Sequence, residues 1–421
     1  MAEDKKENIE NVPILTKEDV QRGLKEANER AAKLPHIDIS HMDDIKKFID
    51  SQTTIRTRAE ATAVLDFFLP LRKEWQEYYL VHPSDVYPTI YRFLAVAQRV
   101  LRNYGESILL LNECLSVITK HGNYKWLFKL KADVYYDLAL SYYKLNDIEQ
   151  TRINMRKCIF QILASTNNHH YDHFSFYAFR PLNKYVIEGI RDNKVSLSNP
   201  KYFNDPVDPA LITHFELHIQ KEGSVREKDF LKLQQEIYKE IRITCLSRGT
   251  PLPTGLIDQP PVKDPTFKEI NKATMWGYYA KSHTGICIKY EFPGAFTDIE
   301  RFTKGEVLML RNVTYKSSYN PRKDSFNYLD AFFSKGKAWK HEGECRLAYF
   351  REDGNINDFP WIQLPTGCIK EIYIGYAASK WAKSRLKKAL QNQQQAKIYL
   401  MHPSNSNLYS FEPTEIQVQD L

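Results

Sequence analysis

Hydrophobic periodicity changes once along this chain, and that change limits what it can fold into. Up to about residue 165, apolar residues recur at helical spacing, as at Val64, Leu65, Phe67, Phe68 and Leu71. From residue 174 they alternate, as in "FSFYAFR", or run together between turn signals, as in "GICIKYEF" and "IKEIYIGY". A chain of 421 residues exceeds one ordinary core, so the change of period reads as a domain boundary. The expected fold class is multidomain, an all-α N-terminal half joined to an α+β C-terminal domain. The expected boundaries are a disordered lead-in over residues 1–15, helices over 16–165, a polar linker over 166–173 and the α+β domain over 174–421.

The clearest helical hairpin is "ADVYYDLALSYYKLNDIEQTRINMRKCIFQIL", residues 132–163. Leu138, Ala139 and Tyr142 fall on one face of a first helix, and Asn146-Asp147 make the turn. Ile148, Thr151, Met155 and Cys158 line a second helix. This pattern resembles a tetratricopeptide repeat, in which small residues let paired helices approach closely. A weaker copy runs through Leu94, Ala95, Tyr104, Ser107, Leu111 and Cys114. Ser107 and Thr151 stand at the small position of the two copies, but 44 residues apart, against about 34 in the repeat. An irregular helical bundle therefore stays open beside the repeat. The resemblance implies a protein or peptide partner on this domain.

Composition narrows the function classes. A net charge of +7 permits a nucleotide or nucleic-acid ligand without arguing for one. No apolar run reaches 18 residues, so no membrane partner is expected. The start, "MAEDKKENIENVP", is charged and unlike a secretory signal. Six scattered cysteines suit a reducing, cytoplasmic setting better than disulfides or a zinc site. His169, His170 and His173 have ligand-like spacing but lack a Cys or acidic partner pattern, so no metal site is expected.

The stretch "AWKHEGECRLAYF", residues 338–350, is read as a strand. Period-2 alternation would put Glu342, Glu344 and Arg346 on one face. An ion-pair ladder explains such a set without function, and a ligand site explains it equally.

Five ordered blocks bear on that choice. They are "YAFRPLN…IRDNKVSLSNPKYFNDPVDP", "CLSRG", "MWGYYAKSHTGICIKYEF", "AWKHEGECRL" and "IKEIYIGYAAS". Together they resemble a widespread bacterial family, domain of unknown function 2971, over residues 174–390. The chain departs from its pattern at Val207, where Phe is frequent, and at His341, where Tyr is usual. The arrangement is also similar to ADP-ribosyltransferases, which split a β-sheet around NAD. That likeness implies NAD as cofactor-substrate. It implies Arg180 and Tyr177 on an early strand, Ser198 on the strand after the first helix, and Tyr278 or Tyr279 stacking on nicotinamide. Glu344, assisted by Glu342, would be catalytic on a late strand.

The chemistry gives each role a reason. Cleaving the nicotinamide–ribose bond creates an oxocarbenium-like centre that a nearby carboxylate favours. A second carboxylate takes a proton from the acceptor. An arginine fork clamps a diphosphate, and a flat aromatic ring holds a flat base at low entropic cost. His283 is read either as a turn residue or as a contact to ligand phosphate or ribose. Asn204 and Asp205 are read as an Asx-type turn shaping the site, Trp276 as a residue that shapes the site or else as core, and Arg346 as a partner that shapes it. The expected function is an ADP-ribosyltransferase-like or NAD-hydrolysing bacterial effector, such as a toxin or antiviral-defence protein with a helical sensor. A non-catalytic nucleotide- or peptide-binding adaptor and a metal-dependent nuclease stay open. The acceptor macromolecule and the oligomeric state are not readable from the sequence.

Overall fold

The computed structural model describes residues 55, 57–70, 72, 86–120, 125–165, 174–203, 205, 208, 225–251, 270, 272–293, 304–318, 332–391, 395–405 and 410–421. The chain divides into two compact units, residues 1–154 and 155–421. No helix among the described residues is long and apolar enough to cross a membrane.

The first unit is helical: α1 (Arg58–Phe68), α2 (Val86–Val100), α3 (Tyr104–Lys120), α4 (Lys125–Lys144) and the start of α5 (Ile148–Ser165). Helix α1 opens on a capping box. The Thr57 hydroxyl accepts from the Glu60 N–H at 3.2 Å and the Glu60 carboxylate accepts from the Thr57 N–H at 2.9 Å. Turns with a left-handed residue, Arg102 (φ 68°) and Asn146 (φ 63°), separate α2 from α3 and α4 from α5. The core comes from apolar faces that include Phe68, Leu94, Leu111, Ile118, Val134 and Leu138. The buried hydroxyls of Ser107 on α3 and Ser141 on α4 lie 3.1 Å apart. Arg92 and Arg99 on α2 both bind the buried Asp137 of α4, at 2.8 and 3.1 Å.

The second unit is built on one mixed sheet. Its strands are β1 (Phe174–Arg180), β3 (Arg242–Pro251), β4 (Ile286–Glu291), β5 (Glu306–Asn312), β8 (Glu344–Arg351), β10 (Ile369–Ile374), β11 (Lys397–Pro403) and β12 (Phe411–Ile416). Across the sheet they run β12-β11-β10-β4-β1-β3-β8-β5. Helix α6 (Lys184–Arg191) follows β1, and α7 (Val225–Tyr238) precedes β3. A single turn, α8 (Ala273–Tyr278), precedes β4, and α9 (Lys380–Leu390) joins β10 to its parallel neighbour β11. Short strands β2 (Lys194–Ser196) with β9 (Trp361–Gln363), and β6 (Thr314–Lys316) with β7 (Ser334–Gly336), form two small extra sheets. One sheet face is apolar. Phe176, Leu246, Ile288, Leu347 and Ile372 pack there with Ile190 of α6 and Leu386 of α9.

The sequence places a short helix over residues 181–193, with Pro181 suited to its first turn, and a strand over residues 338–350; the structure moves both starts. Helix α6 starts at Lys184, so Pro181 lies before its first turn. Asn183 is the cap, its side chain accepting from the Val186 N–H at 3.0 Å, because an Asx oxygen satisfies an orphan donor that proline cannot. Strand β8 starts at Glu344. Residues Lys337–Glu342 form a 3₁₀ turn ended by Gly343 in the left-handed region (φ 56°). Glu342 and Glu344 therefore sit on different elements and not on one strand.

What positions the site is a fork in the sheet. β1 pairs with β4 from Ser175 to Arg180. It pairs with β3 only at Phe174, Phe176 and Tyr177, opposite Pro251, Arg248 and Ser247. Beyond that point β3 continues along β8, from Ser247 to Arg242. At the open end Ser198 takes the place next to β3, exchanging both backbone hydrogen bonds with Ile243 at 3.0 and 2.9 Å.

The β1 arm is held by backbone contact with no room to spare. A Cβ on Gly285 would stand 2.2 Å from the Arg180 carbonyl oxygen and 2.9 Å from that of Ala280. Gly285→Ala is expected to lower stability by about 2 kcal/mol or more and to shift the end of β1; urea unfolding followed by circular dichroism measures it.

Candidate functional site

The fork opens into a cleft of about 550 Å³. Tyr177, Phe179 and Arg180 of β1 line it on one side, and residues 243–247 of β3 on the other. Glu342, Glu344, Lys335 and Asp208 line it as well.

These four belong to a buried five-charge cluster. The Lys335 ammonium, on β7, lies 2.6 Å from Glu342, 3.1 Å from Glu344 and 3.6 Å from Asp208. The Arg346 guanidinium is wholly buried. It donates to Glu344 Oε1 at 2.7 Å, to both Asp208 oxygens at 2.6 and 2.5 Å, and to the Phe332 carbonyl at 2.5 Å. Glu342 also accepts from the Tyr279 hydroxyl at 2.7 Å. The Glu344 N–H donates to the Tyr315 hydroxyl at 2.7 Å, which fixes the first residue of β8. The left-handed Gly343 is what lets acids on either side of it meet one ammonium.

Burial of charge is costly unless each ion is paired and hydrogen-bonded. For Glu344 and Lys335 the ionised forms win. Burial pushes the Glu344 carboxyl up, but Arg346 and Lys335 outweigh it and hold it at about 2. Burial likewise lowers the Lys335 ammonium, yet Glu344 and Glu342 raise it above its ordinary value. Asp208 goes the other way: burial raises it, and Arg346 offsets this only in part. Burial and Glu344 keep the Cys245 thiol, which also lines the cleft, well above its ordinary range, so it stays protonated and unreactive.

Arg180 differs from the cluster. It is half-buried, lines the cleft and has no ion pair among the described residues. Its Nη2 donates to the Thr244 hydroxyl and, at 3.2 Å, to the Cys245 carbonyl, bridging the fork. Ser247 lies across β3 between Tyr177 and Glu344 in the strand register. It is 2% exposed, and its hydroxyl has no partner among the described residues.

The structure brings together Tyr177, Arg180, Ser198, Asp205, Glu342 and Glu344 in this cleft. Arg346 stands behind it, aligning Glu344. Arg180 does not pair with Asp205 or Asp208; Asp208 belongs to Arg346. Tyr278 is 62% exposed and does not line the cleft, whereas Tyr279 does. Trp276 is core, donating from Nε1 to the Ile270 carbonyl at 2.6 Å. His283 stacks on Trp276 (5.2 Å, 8°) and against Phe411 (4.3 Å), outside the cleft lining. Asn204 and the three linker histidines lie outside the described residues. Among the described residues no three His, Cys, Asp or Glu groups are arranged to hold a metal ion. The centre of the three carboxylates is filled by Lys335.

Sequence reasoning missed Lys335, Ser247 and the role of Asp208. Ser247 had a signal, since it sits in the "CLSRG" block. Lys335 had none among the surrounding lysines. Comparison with family models, curated proteins and solved structures found no match to this chain.

Two outcomes are expected. Arg346→Met strands two buried carboxylates and should cost about 3–5 kcal/mol, read from urea midpoints. For pH, Glu344 is depressed on folding, so its contribution is present above about 4.5 and is lost as pH falls towards about 2. The stability of wild type should drop over that window more steeply than that of Glu344→Gln.

Proposed function

We propose that the C-terminal unit binds NAD in the fork of its sheet and cleaves the nicotinamide–ribose bond, by ADP-ribosyl transfer or by hydrolysis. The observation that carries this reading is the opposition of charge in one cleft. An arginine free of carboxylates lines the β1 arm, and the ionised Glu344 carboxylate sits at the start of β8. A diphosphate suits Arg180. A ribose that becomes cationic suits Glu344, whose charge persists down to about pH 2. Glu342 receives the acceptor's proton after the ligand displaces its Tyr279 hydrogen bond. Tyr177, Tyr279 and Ser198 complete the contacts, and the unsatisfied Ser247 hydroxyl bonds a ribose oxygen.

The likeness to domain of unknown function 2971 and to the split sheet of ADP-ribosyltransferases supports the same reading. So does the helical first unit, as a tetratricopeptide-like module that takes a peptide and controls a cytoplasmic bacterial effector, a toxin or a defence protein.

One observation favours a second reading, a binding module without chemistry. All four carboxylate oxygens of Glu342 and Glu344 already have partners: Tyr279 and Lys335 for the first, Arg346 and Lys335 for the second. The two readings part on turnover. With labelled NAD, wild type is expected to release nicotinamide. Glu344→Gln should lower kcat by about 10²–10³-fold with little change in NAD affinity. Arg180→Ala should weaken NAD binding by about tenfold or more without unfolding the protein. Binding without release, unaltered by Glu344→Gln, would establish the module instead.

A further inference from the structure

Four large aromatic side chains line the same cleft yet stay in water: Tyr185, Tyr202, Phe359 and Trp361, each between 39% and 56% exposed. Being both exposed and cleft-lining, they form its rim. Apolar surface left in water at a cavity mouth marks a contact site. These rings are also held in place, as a binding surface requires. Trp361 lies directly on the backbone at Gly189, where a Cβ would stand 2.9 Å from Cζ3 of the indole. Tyr202 stacks on Phe359 (5.1 Å, 22°), and its hydroxyl donates to Asp358 at 3.1 Å.

Cations are interleaved with the rings. The Lys184 ammonium sits 4.8 Å over the Tyr185 ring and Lys201 4.8 Å over Tyr202. The acids next to them are mostly occupied, Asp192 by Arg191 at 2.7 Å and Asp358 by Lys201 at 2.7 Å. Lys184, Lys194 and Arg180 make no ion pair among the described residues, and the half-buried Glu188 is the one acid of α6. Rigid ring faces with free ammonium groups beside them match a strand of planar bases linked by phosphates. A duplex hides its base faces and does not use such a rim.

We infer that this rim binds single-stranded nucleic acid and that this strand is the acceptor for the cleft. The word acceptor rests on the NAD reading above; the binding does not. In the transfer step the bond between nicotinamide and ribose C1′ breaks and nicotinamide leaves as the neutral base. A bond from C1′ to a base nitrogen or ribose oxygen of the strand forms, and the proton displaced from that atom passes to Glu342.

The test is fluorescence anisotropy with labelled oligo(U) and oligo(dT) of about a dozen nucleotides, within the range of known site sizes, beside a duplex of equal length. Wild type should bind single strands tighter than duplex, with affinity falling as salt rises. Trp361→Ala and Tyr202→Ala should each weaken binding by about tenfold, and Trp361→Phe by about threefold or less, since one ring still stacks. The Phe variant separates lost stacking from a damaged β9. Equal affinity for duplex, or affinity unchanged in both alanine variants, overturns the inference. NAD-dependent labelling of protein alone, with no oligonucleotide binding, also overturns it while upholding NAD chemistry. Oligonucleotide binding without any NAD turnover removes the NAD reading and leaves the rim as assigned.

Discussion

The second unit depends on one ammonium. Lys335 lies within 3.6 Å of three carboxylates, the neighbouring Glu342 and Glu344 and the sequence-distant Asp208. Without that cation, three carboxylates would share a buried space with Arg346 as counter-ion to two of them, which favours protonation of the third. With it, and with Arg346 behind, the start of β8, the strand β7 and the segment at Asp208 are tied into one wall of the cleft. Such a cluster is not an efficient way to gain stability, because ions lose hydration on burial. Its effect is to place fixed charge in a site largely shielded from water, where charge acts strongly on a ligand.

The fork explains why the charge is reachable. Had β1 paired with β3 along its whole length, Glu344 would face a closed sheet. Instead β1 leaves β3 after Tyr177, and Arg180 reaches back across, to Thr244 and Cys245. The Ser198 backbone satisfies the β3 groups that β1 abandons, so the opening leaves the ladder intact at Ile243. One wall thus offers the Arg180 guanidinium and the other a cluster of three carboxylates held by two cations, with an aromatic rim outside.

Much of this was legible in the sequence, and the failures have physical causes. β1 was read to the residue because "FSFYAFR" alternates and ends before Pro181. Strand alternation predicts that Glu342 and Glu344 converge, but a 3₁₀ turn and a left-handed glycine are what bring them together. The choice between Tyr278 and Tyr279 could not be made from a helix of one turn, where neighbouring residues point about 100° apart. Asp208 and Arg346 meet across 138 residues, and no local pattern encodes such a pairing. The fork was equally hidden, since it depends on which partner a strand gives up and not on the strand's own residues.

NAD is proposed to occupy the fork between β1 and β3. Backbone hydrogen exchange of the full chain, with and without NAD, addresses it directly. The account predicts slower exchange on adding NAD over residues 177–180, 243–247 and 342–346. Protection confined to other segments, or no change at saturating NAD, would contradict it.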